Sequence, residues 1–300
     1  MYDAIVIGAG PAGLQAALTL GRMHRSALLL DSGEYRNGTV RHMHNVIAND
    51  GTPPDAFRAT ARAELAAYGD VDVREAGADR ISGAQGAFTV DLADGTTAEA
   101  RRVILATGMA DALPDVPGLA ALWGTKAFSC PFCDGHEHAG EAIAILGEAA
   151  RAAHLIGLLG RIVGSITVFP TAEPLSDEDR RMLEGLGAAV RSPATGVSET
   201  EGAVTIRSVE GETRAAGVFV ASVVSAQRAP FAADLGLAML PSGAIEIDDF
   251  GRTSLPGVSA AGDLAHRASL PGAMASVLLA AAAGQLAAIG IIQSFLAEGA

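Results

Sequence analysis

The glycine-rich stretch at residues 8–13, with the sequence GAGPAG, limits the fold of this chain more than any other feature. It follows an apolar, strand-like run from Tyr2 to Ile7 and opens a helix-like run from Leu14 to Met23. Ser26 to Leu30 then has the pattern of a second strand. Strand, glycine turn, helix and strand in this order form a βαβ unit, and the G-x-G-x-x-G spacing is typical of a dinucleotide site. The sequence therefore predicts an α/β fold with a parallel sheet.

The glycines of this turn have separate physical roles. Gly8 permits a tight turn, Gly10 lets backbone N–H groups approach a pyrophosphate, and Gly13 allows the helix to pack closely on the strand. The N-terminus of the helix then stabilises the anion. Asp31 ends the next strand, near the spacing at which a carboxylate accepts hydrogen bonds from a ribose. The predicted dinucleotide site comprises Gly8, Gly10, Pro11, Ala12, Gly13 and Asp31.

A second, imperfect copy of the strand, turn, helix and strand pattern lies at residues 142–169. Proline-bearing stretches at Leu113 to Pro117 and Arg228 to Pro230 are typical of crossings between domains. We therefore expect two Rossmann-like dinucleotide-binding domains, the second inserted into the first. The first would comprise residues 1–113 and 229–300, and the inserted domain residues 114–228.

Charge and hydropathy narrow the classes of partner. The formal net charge of -13 and the pI of 4.9 repel phosphate backbones and anionic lipid headgroups, so we expect no nucleic-acid partner and no membrane association. The apolar tail from Ala273 to Leu296 raises a membrane span as an alternative, but serine and glutamine interrupt it, which favours a buried helix. The first residues carry no pattern of a secretion signal, which predicts a cytoplasmic protein.

The chain has two cysteines, Cys130 and Cys133, with two residues between them. Two cysteines exclude a disulfide scaffold and a four-thiolate zinc site. In a reducing compartment, this spacing indicates redox chemistry or a metal, and it lets the two thiols close a small ring. A metal site would need His136 and His138 as further ligands. We favour thiol–disulfide exchange and predict no metal.

Two further segments carry a resemblance to a known group of enzymes. An apolar run from Leu255 ends in Gly262-Asp263 and precedes a small-residue helix, and a short ATG segment includes Thr107 and Gly108. Together with residues 8–13, these segments resemble the FAD-binding signatures of the two-dinucleotide flavoprotein reductases. The resemblance implies that Thr107, Gly108, Gly262 and Asp263 contribute to an FAD site.

The segment CPFCDG at residues 130–135 closely resembles the redox motif of the low-molecular-weight thioredoxin reductases. It also lies where that family has its motif, after the ATG segment and before the second dinucleotide unit. The resemblance implies that Cys133 faces the flavin, that Cys130 exchanges with the substrate, and that Asp134 moves protons to and from the thiols. It also implies a homodimer.

Several polar residues near these motifs are candidates for acid–base or flavin contacts. Histidine titrates near neutral pH, so each histidine beside the cysteines or in the segment that the resemblance places near the flavin is a candidate. The alternative for each is a structural or exposed histidine. The candidates are His136 and His138 after the cysteines, and His42, His44 and the possible flavin ligand Asn45 upstream.

The second dinucleotide unit departs from the family pattern. It keeps Gly147 but has Ala149 where a glycine should let backbone approach a pyrophosphate, and Glu148 adds a negative charge there. The following strand is succeeded by PTAE at residues 170–173, where the family needs arginines for the 2′-phosphate of NADPH. Arg180 and Arg181 come later, among acidic residues. NADPH binding is therefore doubtful.

This pattern of an intact FAD motif and a degraded NADPH motif resembles the dithiol oxidases of the thioredoxin reductase group. The leading prediction is thus an FAD-dependent enzyme that oxidises a dithiol through Cys130 and Cys133 and passes the electrons to oxygen. Its substrate would be a small-molecule dithiol or a thioredoxin-like protein. One alternative is an NADPH-dependent thioredoxin reductase, and another is a flavin-bound redox sensor without turnover.

Overall fold

The computed structural model describes residues 1–171, 173–272 and 274–299. Ala172 of the PTAE stretch, Ala273 at the start of the apolar tail, and Ala300 lie outside the described residues. The chain divides into two compact units. The first contains Met1–Gly38, Asp55–Ala110 and Ala226–Ala300, and the second contains Thr39–Pro54 and Asp111–Ser225.

The second unit therefore takes in a segment that the sequence assigned to the first domain. Residues 39–54 were expected within the domain of residues 1–113, whereas the structure groups them with residues 111–225. A Cβ on Gly124 would lie 2.9 Å from the carbonyl carbon of Thr39, which shows how closely these two backbones approach. His44 of the same segment faces Glu137. Short-range sequence pattern could not reveal these contacts because the partners are distant along the chain.

Strands and helices follow one another along the chain, and most of them are short. Up to residue 112 the elements are β1 (Tyr2–Ile7), α1 (Pro11–Arg22), β2 (Ala27–Leu30), α2 (Pro54–Leu65), β3 (Val71–Arg74), β4 (Ala78–Ala84), β5 (Ala87–Leu92), β6 (Thr97–Leu105) and β7 (Met109–Ala112). The middle of the chain forms α3 (Leu119–Leu122), β8 (Ala127–Phe128), α4 (Pro131–Asp134), a 3₁₀ turn (His136–His138), β9 (Ala142–Leu146), α5 (Ala149–Leu159), β10 (Ser165–Phe169), α6 (Asp177–Gly185), β11 (Ala189–Val190), β12 (Gly196–Thr200), β13 (Ala203–Ser208), β14 (Gly211–Ala215), β15 (Gly217–Val220) and β16 (Val224–Gln227). The last part forms α7 (Phe231–Asp234), β17 (Ile245–Glu246), β18 (Val258–Ala260), β19 (Ala265–His266) and α8 (Val277–Glu298).

The first unit is built on a sheet in which β1 lies between β2 and β6. The strand order is β3-β2-β1-β6-β5-β4, and β18 also pairs with β6. β1, β2, β3, β6 and β18 are parallel, whereas β4 and β5 form an antiparallel hairpin with β6. Strands β1 and β2 are apolar because both faces of the sheet are buried at the centre of its parallel part. The parallel part is the Rossmann-like half that the first βαβ pattern predicts.

The long helix α8 packs on α1 through small residues. A Cβ added to Gly284 would lie 1.9 Å from the carbonyl oxygen of Ala12, so the two helices cross closely. Phe295 is fully buried, but Leu278, Leu279 and Leu286 are exposed. By length and composition α8 could also cross a membrane, and 39% of its most apolar window is buried. The expected buried helix is thus buried on one face only.

The second unit contains its own parallel sheet, with the order β11-β10-β9-β15-β8. Strand β9, the turn at Gly147, helix α5 and strand β10 form its βαβ unit. Strands β12, β13 and β14 make a separate antiparallel sheet. The predicted α/β fold with two Rossmann-like sheets is confirmed.

Candidate active site

In the first unit, the predicted cofactor residues lie at one edge of the sheet. The backbone N–H of Ala106 donates to Ile7 O, and that of Ala261 donates to Leu105 O, so the carboxyl ends of β1, β6 and β18 are adjacent. The glycine turn, the ATG segment and Gly262-Asp263 leave the sheet at these ends. Open parallel sheets bind ligands outside the carboxyl ends of their strands. The fold therefore gathers three segments that are far apart in sequence.

The first turn, residues 8–13, has the form that a pyrophosphate requires. Gly8 has φ 110°, and a Cβ there would lie 2.4 Å from Ala106 O. A Cβ on Gly13 would lie 1.7 Å from Gly8 O. A Cβ on Gly10, by contrast, meets no protein atom within 4 Å. Gly8 and Gly13 thus serve packing, whereas Gly10 keeps open the space before the N-terminus of α1, and this cradle fits the pyrophosphate of FAD.

Two carboxylates predicted to bind the cofactor are held by neighbouring side chains. Asp31 is buried at the end of β2, where it accepts from the Gly33 N–H (2.9 Å) and the Tyr35 hydroxyl (2.6 Å) and pairs with Arg62. Asp263 accepts from the Arg36 guanidinium at 2.8 Å. These contacts fix the direction of each carboxylate. Their contacts with ribose or ribityl groups remain predictions.

The second unit carries the cysteine pair. Cys130 and Cys133 form a disulfide with a Cα–Cα distance of 5.3 Å. Cys130 is the extended N-cap residue of α4, and its carbonyl oxygen accepts from the N–H groups of Cys133 and Asp134, each at 3.2 Å. This one-turn helix brings the two sulfurs together because residues three apart in a helix lie on the same side of it. Phe132 between them is 67% exposed.

Asp134, beside the disulfide, is poised to exchange a proton near neutral pH. Burial raises the pKa of Asp134 to about 7, and the neighbouring Glu137 carboxylate adds to this rise, whereas His44 opposes it. A carboxyl that titrates near the working pH can act as either acid or base. This electrostatic setting agrees with the role predicted for Asp134, and the role itself stays a prediction.

The four candidate histidines have different surroundings. His138 is buried, with its Nδ1 3.1 Å from Glu141 Oε2 and its ring packed on Phe128 and Phe219, which describes a packing residue. His136 is exposed. His42 Nδ1 lies 3.1 Å from the carbonyl oxygen of Gly51.

His44 is the histidine that approaches the acid of the cysteine motif. Its Nδ1 lies 3.6 Å from Glu137 Oε1 and 3.7 Å from Asp50 Oδ2. Neither Glu137 nor Asp50 was identified from the sequence. Glu137 could have been identified as a neighbour of Asp134, because it follows three positions later, but no sequence pattern indicated that Asp50 lies near His44.

Asn45 belongs by its contacts to the second unit. It has φ 58°, a left-handed conformation that asparagine tolerates, and its N–H donates to Asp50 Oδ1 at 2.7 Å. Its contribution is therefore to the shape of the loop at residues 39–54. The predicted flavin contact of its side chain remains a prediction.

The second turn, residues 147–152, keeps the bend and changes the cradle. Gly147 has φ 153°, and a Cβ there would lie 2.7 Å from Ala221 Cβ, so glycine is needed for the close approach. Glu148 is the N-cap residue of α5, and the buried Ala149 follows it. Arg151 directs its guanidinium at the carbonyl oxygens of Ala221 and Val223, each 3.4 Å away.

The second turn keeps the backbone bend of a dinucleotide site, but Glu148 and Ala149 make its surroundings less favourable to a phosphate than those of the first turn. Arg180, one of the later arginines, donates to Val190 O at 3.0 Å and lies 3.9 Å from Glu184. It is thus directed at the protein itself. The residues of this turn fit a nicotinamide dinucleotide only in part.

The predicted family can be tested against known proteins. The family model described as pyridine nucleotide-disulphide oxidoreductase matches residues 2–285. The chain belongs to this family. Within it, the present protein is an FAD-dependent disulfide oxidoreductase of the thioredoxin reductase group, with Cys130 and Cys133 as its CxxC disulfide.

Relatives in this family include fungal proteins that carry the name thioredoxin reductase. The chain is 33% identical to thioredoxin reductase tcpT of Claviceps purpurea over 87% of this chain and 85% of the relative. It is 31% identical to thioredoxin reductase aclD of Aspergillus oryzae over 97% and 96%. The solved structure of an oxidoreductase from Agrobacterium tumefaciens is 30% identical and covers 98% of each chain, with a TM-score of 0.88.

The alternative metal site is not assembled. The two cysteines are joined to each other, and His138 faces Glu141. Among residues 1–171, 173–272 and 274–299, no group of three or more His, Cys, Asp or Glu side chains is placed to hold a metal ion. The pairing of Cys130 with Cys133 agrees with the CxxC disulfide of the family.

Proposed function

We propose that this flavoenzyme is a thioredoxin reductase-type disulfide reductase. The observation that carries the proposal is the Cys130–Cys133 disulfide at the start of α4, next to a carboxyl whose pKa lies at about 7. The names of the fungal relatives support reduction as the direction of the reaction. The sequence alone favoured oxidation, which now stands as the second candidate.

The residues of the second unit would carry out thiol–disulfide exchange. Once the pair is reduced, the Cys130 thiolate attacks a substrate disulfide and forms a mixed disulfide, and Cys133 then attacks Cys130 and releases the substrate dithiol. Asp134 holds and returns the proton of a thiol during these steps. The exposed Phe132 gives the pair an apolar neighbour that an incoming substrate would contact.

FAD, when bound, would supply the two-electron transfer between an electron donor and the cysteine pair. We assign its pyrophosphate to the first turn, because Gly10 leaves the space that a side chain would fill. Thr107, Gly108, Gly262 and Asp263 lie at the same edge of the sheet and are assigned to the same cofactor. The second turn would accept a reduced nicotinamide dinucleotide with low affinity, because Ala149 and Glu148 weaken its cradle.

The substrate we propose is a thioredoxin-like protein or a small disulfide. We also propose a homodimer, in which a second copy covers the exposed leucines of α8. Leu278, Leu279 and Leu286 are 44%, 47% and 43% exposed, and they form an apolar face on a helix whose other face is buried. Light scattering on wild type and Leu279→Glu tests this: we expect a dimer that the charged variant dissociates.

Reduction is tested by supplying NADPH and a disulfide to the holoenzyme. We expect NADPH oxidation that depends on both cysteines. Cys133→Ser should trap a mixed disulfide through Cys130, whereas Cys130→Ser should trap none. Retention of full turnover by Cys130→Ser would overturn the assignment of the exchanging cysteine.

Dithiol oxidation is the second candidate, and the second turn favours it. Ala149 fills the position that a nicotinamide pyrophosphate would approach, and Glu148 places a negative charge there. An enzyme without an effective nicotinamide site would take electrons from a dithiol and give them to oxygen. Oxygen uptake with small dithiols, together with a flavin that NADPH leaves oxidised, would establish this candidate in place of the first.

A further inference from the structure

The loop at residues 39–54 brings a histidine to the acid of the cysteine motif. His44 Nδ1 lies 3.6 Å from Glu137 Oε1 and 3.7 Å from Asp50 Oδ2. These distances are too long for hydrogen bonds but short enough for an electrostatic interaction, which solvent screens more at Asp50, 69% exposed, than at Glu137, 37% exposed. The His44 side chain is 24% exposed, so the interaction is partly shielded from water. His44 also opposes the rise of the pKa of Asp134 that burial and Glu137 cause.

The loop holds this imidazole in place through its backbone. On one side of His44, the N–H of Met43 donates to Thr52 O at 3.0 Å, and the N–H of Gly51 donates to Met43 O at 2.9 Å. On the other side, the Asn45 N–H donates to Asp50 Oδ1. Met43 is buried as well. The two neighbours of His44 are thus both fixed, which sets where its ring can lie.

We propose that His44 and Glu137 are positioning residues that govern proton exchange at Asp134, so that the loop at residues 39–54 belongs to the thiol–disulfide machinery. The inference rests on the proposed function in one respect, namely that Asp134 serves the cysteine pair. A protonated His44 stabilises the ionised Asp134 carboxylate, and an ionised Glu137 destabilises it. The two residues therefore act on the same proton in opposite directions.

The step they govern is proton transfer during reduction of the disulfide. The reduced nicotinamide donor gives up a hydride, whose two electrons break the Cys130–Cys133 bond and leave two thiolates, and whose proton passes to solvent. One thiolate takes the proton of Asp134, and the Asp134 carboxylate regains from solvent the proton that the hydride released. The second thiolate stays ionised and attacks the substrate. In the reverse direction the same proton returns to Asp134.

The other charged or titratable groups on the neighbouring elements either contact other residues or are exposed to solvent. Helix α5 approaches α4 through Leu159, which would lie 2.9 Å from a Cβ on Gly135. Arg151 is directed at the carbonyl oxygens of Ala221 and Val223. His138 contacts Glu141, and His42 contacts the carbonyl oxygen of Gly51. The exposed groups are Arg41, His136 and His154. The effects that shift the pKa of Asp134 are its burial, Glu137 and His44.

The test follows the titration of Asp134 itself. Holoenzyme with ¹³C-labelled aspartate carboxyl groups is titrated by NMR, and the Asp134 signal is identified by its loss in Asp134→Asn. We expect His44→Gln to raise the midpoint by about half a pH unit or more and Glu137→Gln to lower it by a similar amount. His44→Lys, which keeps a positive charge, should leave the midpoint at or below that of wild type.

His42→Gln is the matched control, because His42 lies on the same loop and faces Gly51 O. It should leave the midpoint unchanged. Equal midpoints in wild type, His44→Gln and Glu137→Gln would overturn the inference, and so would shifts of both variants in one direction. A merely structural role would lower activity without moving the midpoint.

The pH profile of disulfide reduction by the same variants completes the test. We expect its limb near pH 7 to move with the NMR midpoint. Midpoints that move while the profile stays fixed would overturn the role of the loop in turnover. Failure of the proposed function is distinguishable, because an enzyme that reduces no disulfide still shows the Asp134 titration.

Discussion

The two glycine turns of this molecule follow parallel strands and open helices, yet they are suited to different tasks. In the first turn, Gly10 borders open space and Gly13 lies directly against Gly8 O. In the second turn, the corresponding positions are occupied by Ala149 and Ala152, both buried. Of the three glycine positions, only the first is still a glycine in the second turn, where Gly147 has φ 153°.

The difference separates what a βα turn needs to fold from what it needs to bind phosphate. The second turn shows that the bend requires only its first glycine, since α5 and β10 form with alanine at the later positions. The glycine that faces the ligand is dispensable for folding. Its presence in the first turn and absence in the second support our proposal that the first turn binds a pyrophosphate more tightly than the second.

Among the substitutions that test this difference between the turns, a substitution of Gly13 should have the largest effect on stability and FAD content. In Gly13→Ala the Cβ would lie 1.7 Å from Gly8 O, so α1 must move away from β1. We expect a loss of about 3 kcal/mol or more in the free energy of unfolding and purification without FAD. Thermal unfolding and flavin absorbance measure both. Ala152→Gly in the second turn is the matched control and should leave FAD bound; an FAD-replete, stable Gly13→Ala would contradict the packing argument.

Substitution of Gly10 should separate binding from folding. A Cβ at Gly10 meets no protein atom within 4 Å, so Gly10→Ala should fold normally. The methyl group would displace the pyrophosphate from backbone N–H groups, and we expect the Kd of FAD to rise about tenfold or more. Fluorescence titration of the apoprotein with FAD gives this value. Unchanged affinity would mean that the pyrophosphate lies elsewhere.

Restoring the second turn should strengthen nicotinamide binding. The double variant Ala149→Gly, Glu148→Gln reopens the cradle and removes a negative charge from the N-cap of α5. We expect the KM for NADPH to fall about tenfold, with kcat little changed, because the charge acts on the bound phosphates and not on the transferred electrons. Steady-state kinetics measures both constants. A higher KM in the double variant would refute the proposed cause of weak binding.

The smallest expected effect concerns the stability of the second unit. The folded Asp134 carboxyl has a pKa of about 7, above the ordinary value of 3.8, so its protonated form is favoured in the folded state. The contribution of protonated Asp134 to the stability of the fold is thus fully present below about pH 4 and is lost as the pH rises through about 7. Because the site is partly open to solvent, we expect Asp134→Asn to be more stable than wild type by about 1 kcal/mol at pH 8.

Urea unfolding of the Asp134→Asn and wild-type holoenzymes at pH 4 and pH 8 measures this difference. The two proteins should have the same stability at pH 4. Asp50→Asn serves as the control, since Asp50 is an exposed carboxylate in the same cluster. A variant that is less stable than wild type at pH 8 would show that ionised Asp134 is stabilised by the fold, contrary to our account.

Much of the fold followed from local patterns. The predicted strands at residues 2–7 and 26–30 coincide with β1 and β2, and the predicted second unit at residues 142–169 coincides with β9, α5 and β10. These elements are set by alternating or continuous apolar runs and by glycine turns, which are visible in one sequence. The helix α8 was partly foreseen, but hydropathy does not tell which of its apolar faces remains exposed.

The candidate site was predictable only where its residues are neighbours in sequence. The spacing of Cys130 and Cys133 predicted their pairing, and the structure joins them in a disulfide. The contact of His44 with Glu137 was not predictable, because it depends on the loop at residues 39–54 lying next to the 3₁₀ turn that follows α4. For the same reason, the packing role of His138 against Phe128 could not be distinguished from catalysis by spacing alone.

Anaerobic titration of the holoenzyme with NADPH tests the central claim most directly. The account predicts that NADPH reduces the bound FAD, with half-reduction at a concentration that falls about tenfold in Ala149→Gly, Glu148→Gln. It also predicts that the reduced enzyme then reduces a disulfide in wild type but not in Cys130→Ser. A flavin that stays oxidised at saturating NADPH, yet is reduced by an added dithiol, would contradict the account and establish dithiol oxidation instead.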